Sequence, residues 1–229
     1  MRQYLHKGIV VCCIIMVVLA GCSHKQEDKK SDTTNSKTEE KQIALVENNR
    51  YVEPLHPTTE QIEAFNLLSK AVEENNELEE AKQVGVSFVY DFFMLSNKES
   101  SDDVGGLQFI PSSYIRSFMA YAKAYYYSNY GTIVNEYGKE SLPQVINVNV
   151  NSIEASKISY QNMQYDGYIL QASVEYQESK LNSSMLKKDM KLSIIATNDF
   201  NFNRTYDYTD KNLIIEGEKY PCFRVVSMK

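Results

Sequence analysis

The spacing of apolar residues changes once along this chain, near Pro143, and that change constrains the fold more than any other feature. Before it, Ile62, Phe65, Leu68 and Val72, then Leu78, Ala81, Gly85, Phe88, Phe92 and Leu95, recur mostly in steps of three and four, the stripe of an amphipathic helix. After it, Ile146, Val148 and Val150 alternate with Asn147, Asn149 and Asn151. Tyr168, Leu170, Ala172, Val174 and Tyr176 likewise alternate with Gln171, Ser173 and Glu175, the period of half-buried antiparallel strands. Helices first and strands afterwards define an α+β chain, with N-terminal helices packed on a four- to five-stranded antiparallel sheet.

Local signals divide these halves. Pro57 precedes Thr58, whose hydroxyl can cap a helix while Gln61 reaches back. Glu73-Glu74-Asn75-Asn76-Glu77 interrupts the stripe, which predicts two helices, or one kinked helix, ending near Ser96-Asn97. Asp102 to Gly106 predicts a loop, and Pro111-Ser112-Ser113 starts a further helix with Ile115, Met119, Ala122 and Tyr126 on one face. Asp166-Gly167 predicts the turn between the first two strands. Leu192, Ile194 and Ala196 run on into Phe200 and Phe202, and a last stretch spans Leu213 to Val226 around Glu216-Gly217-Glu218.

The N-terminus carries an address. Arg2 and Lys7 precede an apolar run from Ile9 to Leu19, followed by small Ala20 and Gly21, the parts of a secretory signal. The run is short of the roughly 20 residues a membrane-spanning helix needs. Leu19-Ala20-Gly21-Cys22 resembles the lipobox of bacterial lipoproteins. That resemblance implies a diacylglyceryl thioether on Cys22, membrane anchoring through acyl chains such as palmitate, and an extracytoplasmic domain. Asn-, Lys-, Tyr- and Ile-rich composition without Trp suggests the surface of a low-GC Gram-positive cell. Residues 1–21 are then the signal peptide, 22–57 a disordered polar tether with balanced charges, and 58–229 the folded domain. As a random coil the tether would reach roughly 30–35 Å. Cys12 and Cys13 leave with the signal and Cys22 is acylated, so Cys222 has no intrachain partner and is expected as a buried small hydrophobe.

The element order, with helical Phe88-Val89-Tyr90-Asp91-Phe92-Phe93, resembles the NTF2-like (cystatin-like α+β) superfamily from about Thr58 to Val226. The resemblance implies long helices against a curved sheet enclosing a conical pocket. Isomerases, dehydratases, transport adaptors and scaffold domains of secretion or conjugation machines share that fold, so it leaves function open.

The chemical inventory is thin. His6, His24 and His56 all precede residue 58. A domain beginning there has no imidazole to activate a Ser or Cys nucleophile or to build an ordinary zinc site. No P-loop, dinucleotide glycine fingerprint or CxxC is present, and no cofactor or metal is expected. Carboxylate chemistry survives: Asp91, beside Tyr90 in an apolar stretch, could serve as a base tuned by burial with a Tyr donor, or could simply face solvent. Asp199, Asn201, Asn203, Thr205, Asp207 and Asp210 fall at calcium-loop spacing. However, Arg204 stands where that loop needs Gly, and alternating Phe200, Phe202, Tyr206 and Tyr208 explain the same positions as a strand's outer face.

Tyrosine is the remaining signal. The chain has 17 Tyr and no Trp, and Tyr125, Tyr126, Tyr127 and Tyr130 cluster where consecutive helical positions must point apart. Exposed Tyr between Tyr121 and Tyr137 could contact a protein partner, wall sugars or roof a pocket. Residues 58–82 hold seven acids against two lysines and the net charge is −6, so nucleic-acid binding is not expected. The leading expectation is a non-catalytic lipoprotein binding an envelope, secretion or conjugation protein. Small-molecule or glycan binding in a helix–sheet pocket is the alternative, and a His-free carboxylate–Tyr enzyme the third.

Overall fold

The computed structural model describes residues 43–181, 184 and 186–229. The chain separates into two units, Met1–Glu40 and Lys41–Lys229, and the described residues belong to the second. Cys22, the signal and most of the tether therefore lie outside the described residues.

Helix α1 spans Thr59–Glu73 and starts as its sequence directs. The Gln61 N–H donates to Thr58 Oγ1 (3.4 Å) and the Thr58 N–H to Gln61 Oε1 (3.0 Å), satisfying two N-terminal donors reciprocally. The acidic interruption is a true break. Asn75 takes φ 51°, and Asn76 caps α2 (Glu77–Phe93) by accepting from the Glu79 N–H at 3.2 Å. Along α2, every residue from Glu80 to Tyr90 except Lys82 is buried, polar Glu80, Gln83 and Ser87 included, so protein surrounds this part of the helix on all sides. A 3-10 turn at Ser112–Tyr114 leads into α3 (Ile115–Tyr125). A fourth helix, α4 (Tyr130–Tyr137), was not foreseen; it buries little besides Tyr130 and so lacks a readable stripe.

Four strands follow, β1 (Val145–Tyr160), β2 (Met163–Tyr176), β3 (Asp189–Phe200) and β4 (Lys219–Met228). They form one antiparallel meander in the order β1-β2-β3-β4. Phe88 and Phe92 of α2 share one buried cluster with Leu170, Leu192, Ile194 and Val225 of the sheet. The seat is tight: a Cβ added at Gly85 would lie 3.0 Å from the side chains of both Ile194 and Leu170. Packed side chains, rather than an open cone, fill the space where α2 meets the sheet at Gly85.

Several local expectations need correction. The β1–β2 turn is at Gln161-Asn162, both with positive φ (49° and 63°), the backbone a two-residue hairpin of matching twist requires. Asp166 and Gly167 sit inside β2, opposite Lys157 and Ser156. Gly167 serves a close approach instead, since a Cβ there would lie 2.1 Å from the Ile194 carbonyl oxygen. Ile146 is exposed because β1 shifts register between Val145 and Asn147. Strand β3 stops at Phe200, and residues 201–218 form a long irregular connection in place of the continued strands.

The ordered body also begins before residue 58. Tyr51 is 4% exposed, and its hydroxyl donates to Glu80 Oε1 (2.9 Å) while accepting from the Phe223 N–H (3.0 Å). Arg50 pairs with Glu80 at 2.5 Å, and Asn48 Nδ2 donates to Ser69 Oγ at 2.9 Å. Polar composition suggested a tether because the partners of these groups lie far away in sequence.

Candidate binding cleft and tyrosine face

Three segments that are remote in sequence meet at one cleft of ≈ 400 Å³: the strap at 54–56, the end of α2 with the loop 97–107, and the β3–β4 connection around 202–208. Asp91 stands at its floor. Its Oδ1 accepts from Lys98 Nζ at 2.7 Å and its Oδ2 from the Gly106 N–H at 2.7 Å. Lys98 is 5% exposed and Asp91 is half-buried, so the pair is partly desolvated and ties the loop to the helix. Asp91 thus faces neither solvent alone nor a free phenol; its lone pairs are committed to holding 98–106 in place.

Two of the clustered tyrosines buttress the same loop. Tyr127 is fully buried, with its hydroxyl donating to the Phe92 carbonyl (2.7 Å) and accepting from the Gly105 N–H (3.1 Å). Tyr130 donates to the Lys98 carbonyl at 2.7 Å. Burial pushes both phenols above their ordinary range, Tyr127 far above, which makes them poor proton donors. As contacts for a partner, Tyr127 and Tyr130 are corrected to internal braces. Tyr126 is half-buried against Phe92 and Phe93, with centroids at 5.1 and 5.8 Å. Tyr125 alone of the four is strongly exposed, at 72%.

His56 lines the cleft with a left-handed backbone, φ 47°. The exclusion of histidine rested on starting the domain at residue 58, and the ordered strap removes that premise. Among the described residues no Ser, Thr or Cys lines the cleft beside it, and the hydroxyls there are the phenols of Tyr206 and Tyr208. The rim is acidic, with Glu99, Asp102, Asp103 and Asp207, and Asp102 pairs with Lys123 at 2.6 Å. The Thr209 hydroxyl and N–H hold the Asp207 carboxyl below its usual range. Phe202 and Tyr208 stack in the third wall, 5.1 Å apart and 7° from parallel. Arg116 of α3 fixes that wall by donating to the carbonyls of Tyr208 (3.4 Å) and Asp210 (2.5 Å).

Asp199 is occupied elsewhere. Its carboxylate accepts from Arg224 Nε (3.2 Å), the Ser112 N–H (2.9 Å), Ser112 Oγ (2.5 Å) and the Phe200 N–H (2.9 Å). The calcium-like spacing therefore reflects a strand end and turn residues: Asn203, Asp207 and Asp210 each accept from an N–H two residues on. Cys222, 4% exposed, has its thiol pushed up to about 11 by burial.

A separate face lies on α3 and the turn before it. Tyr114, Phe118, Tyr121 and Tyr125 stand at i, i+4, i+7 and i+11, one helical stripe. Tyr114, Tyr121 and Tyr125 are 42%, 46% and 72% exposed, and the rings of Tyr121 and Tyr125 lie 4.8 Å apart. Beside them Phe118, Ile110 and Val225 line a groove of ≈ 220 Å³ along β4, the outer strand of the sheet. The sequence reading placed Tyr121 and Tyr125 in an exposed region but missed Tyr114, although the i, i+7, i+11 spacing is readable. Comparison with protein-family models, with curated proteins and with solved structures gives no match.

Proposed function

We propose that this protein is a lipid-anchored extracytoplasmic lipoprotein whose domain, of NTF2-like type, binds a protein partner of the cell envelope without catalysing a reaction. The observation that carries the proposal is the exposed tyrosine stripe on α3 and the turn before it. Tyr114, Tyr121 and Tyr125 present rigid amphipathic rings at low entropy cost, the chemistry of recognition surfaces. A binding role for the cleft is supported by the commitment of its Asp91 to Lys98 and Gly106 and by a lining that, among the described residues, holds no Ser, Thr or Cys beside His56. The lipobox-like Cys22 supplies the anchor, and the helix-then-strand order is what the NTF2-like assignment rests on.

Two expected outcomes test this. Cys22→Ala should move the protein from the membrane fraction to the soluble fraction of producing cells, with an unchanged thermal unfolding midpoint; retention in the membrane would sink the lipoprotein assignment. In-cell photocrosslinking from position 121 should yield a discrete adduct that Tyr125→Ser together with Tyr114→Ser reduces several-fold, since hot-spot aromatics dominate such contacts. Failure to form any discrete adduct would count against the tyrosine face as an interface.

A further inference from the structure

The glutamine that caps α1 leaves one buried atom whose direction is fixed. Gln61 Oε1 accepts from the Thr58 N–H and from Asn97 Nδ2, both at 3.0 Å. Asn97 Nδ2 also donates to the His56 carbonyl at 3.3 Å. Turning the Gln61 amide over would set its NH2 group against two donors, so its oxygen and nitrogen are told apart by their partners. Gln61 is 3% exposed, and among the described residues its Nε2 has no hydrogen-bond partner. Ser87 of α2 is in the same condition. It is 7% exposed and its Oγ is unpartnered, not bonded even to the carbonyl one turn back that a helical serine often reaches.

Both residues line one recess of ≈ 10 Å³ between α1, α2 and the strap, with Phe65 and Phe109 as its apolar wall. Two buried polar groups left without partners cost free energy, and native proteins rarely tolerate them. Size and chemistry then select an occupant. The volume is about that of one water-sized probe, the least that holds a water and too little for an organic group. Gln61 Nε2 offers only N–H bonds, so the occupant must accept, which excludes ammonium. Asp91 also lines the recess, and its negative charge disfavours an anion there. A water molecule meets every requirement. It accepts from Gln61, donates one O–H to Ser87, and keeps a second O–H for Asp91 or Gln108, whose oxygens each bond elsewhere yet retain a lone pair.

We propose that this recess is a hydration site holding one water, which accepts from Gln61 Nε2 and donates to Ser87 Oγ. The water joins the cap of α1 to the middle of α2. The recess shares Pro54, Asp91 and Gln108 with the cleft, so the water is part of the scaffold under the cleft floor and lies apart from the tyrosine stripe.

Nuclear magnetic resonance of the full chain, labelled with 15N, tests the site without a crystal. The Gln61 side-chain amide protons should show cross-peaks to water of opposite sign in NOE and ROE spectra. That pattern marks a water held far longer than surface water, whereas proton exchange gives the same sign in both. Ser87→Val puts a methyl group in the recess, and it should abolish the Gln61 cross-peak at unchanged far-UV circular dichroism. Should the valine variant unfold, Ser87→Ala keeps the recess, removes one partner of the water and should weaken the cross-peak several-fold. Absence of an opposite-sign cross-peak in the parent overturns the proposal. Full cross-peak intensity in folded Ser87→Val, or in Ser87→Ala where that variant replaces it, overturns it as well.

Discussion

Asp199→Ala should lower the free energy of unfolding by about 3–5 kcal/mol, the usual cost of stranding a buried charge. Arg224 is the largest fully buried side chain, 1% exposed. Its Nε meets Asp199, and its Nη1 and Nη2 donate to the carbonyls of Phe223 (3.2 Å) and Phe200 (3.0 Å). The guanidinium thus locks the end of β3 to β4, and through Ser112 the same carboxylate holds the turn that starts α3. Removing the carboxylate leaves the buried cation with carbonyl acceptors alone and frees the Ser112 turn. Urea titration measures the loss. The double variant Asp199→Ala/Arg224→Met should recover at least half of it, because an apolar side chain tolerates this environment where a lone guanidinium does not. A single variant with parental stability would show that water reaches Arg224 and that the pair is unimportant.

A chain lacking residues 43–57 should lose at least about 5 kcal/mol, combining removal of a core aromatic with exposure of an unpaired buried carboxylate. Tyr51 packs 5.8 Å from Phe109, and Glu80, fully buried, takes hydrogen bonds from Tyr51 and Arg50. Burial already raises Glu80 above the ordinary carboxylate range, with Tyr51 and Arg50 opposing that shift. Taking both partners away removes the two hydrogen bonds that oppose that shift. A raised acid is protonated in the folded chain while the unfolded chain is already ionised, so stability falls as pH rises through the window above about 4.5. The shortened chain should therefore be more stable near pH 5 than at pH 7, and Glu80→Gln should flatten that dependence and restore part of the loss. Equal stability of the long and short chains in urea would show that the strap is dispensable.

How much was legible follows from where each signal resides. The Thr58–Gln61 cap, the break at Asn75-Asn76 and the alternation in β2 were readable because their partners lie within a few residues. The turn at Gln161-Asn162 was misplaced because Asp166-Gly167 carries the stronger local turn signal. Gly167 is required instead by the approach of Ile194, 27 positions away in the chain, which no window reveals. Asp91 stands out in the sequence as an acid in an apolar stretch. Its role came from Lys98 and Gly106, and the identity of a carboxylate's partner is not written in the residues beside it. His56 was set aside by a boundary drawn on composition, whereas Tyr51 and Arg50 tie its neighbourhood to α2 and β4.

The sequence by itself determined the α+β class, the starts of α1 and α2 and the antiparallel order of strands, because periodicity and capping are properties of near neighbours; the lipobox-like Cys22 is an expectation of the sequence alone. Only the tertiary structure decided that the core beneath Gly85 is packed, that Tyr127 and Tyr130 are braces while Tyr114, Tyr121 and Tyr125 are exposed, and that an acidic cleft forms where the strap, the 97–107 loop and the 202–208 wall converge. Those outcomes depend on contacts between residues tens to more than a hundred positions apart, and the free energy that selects them belongs to the packed chain rather than to any of its segments.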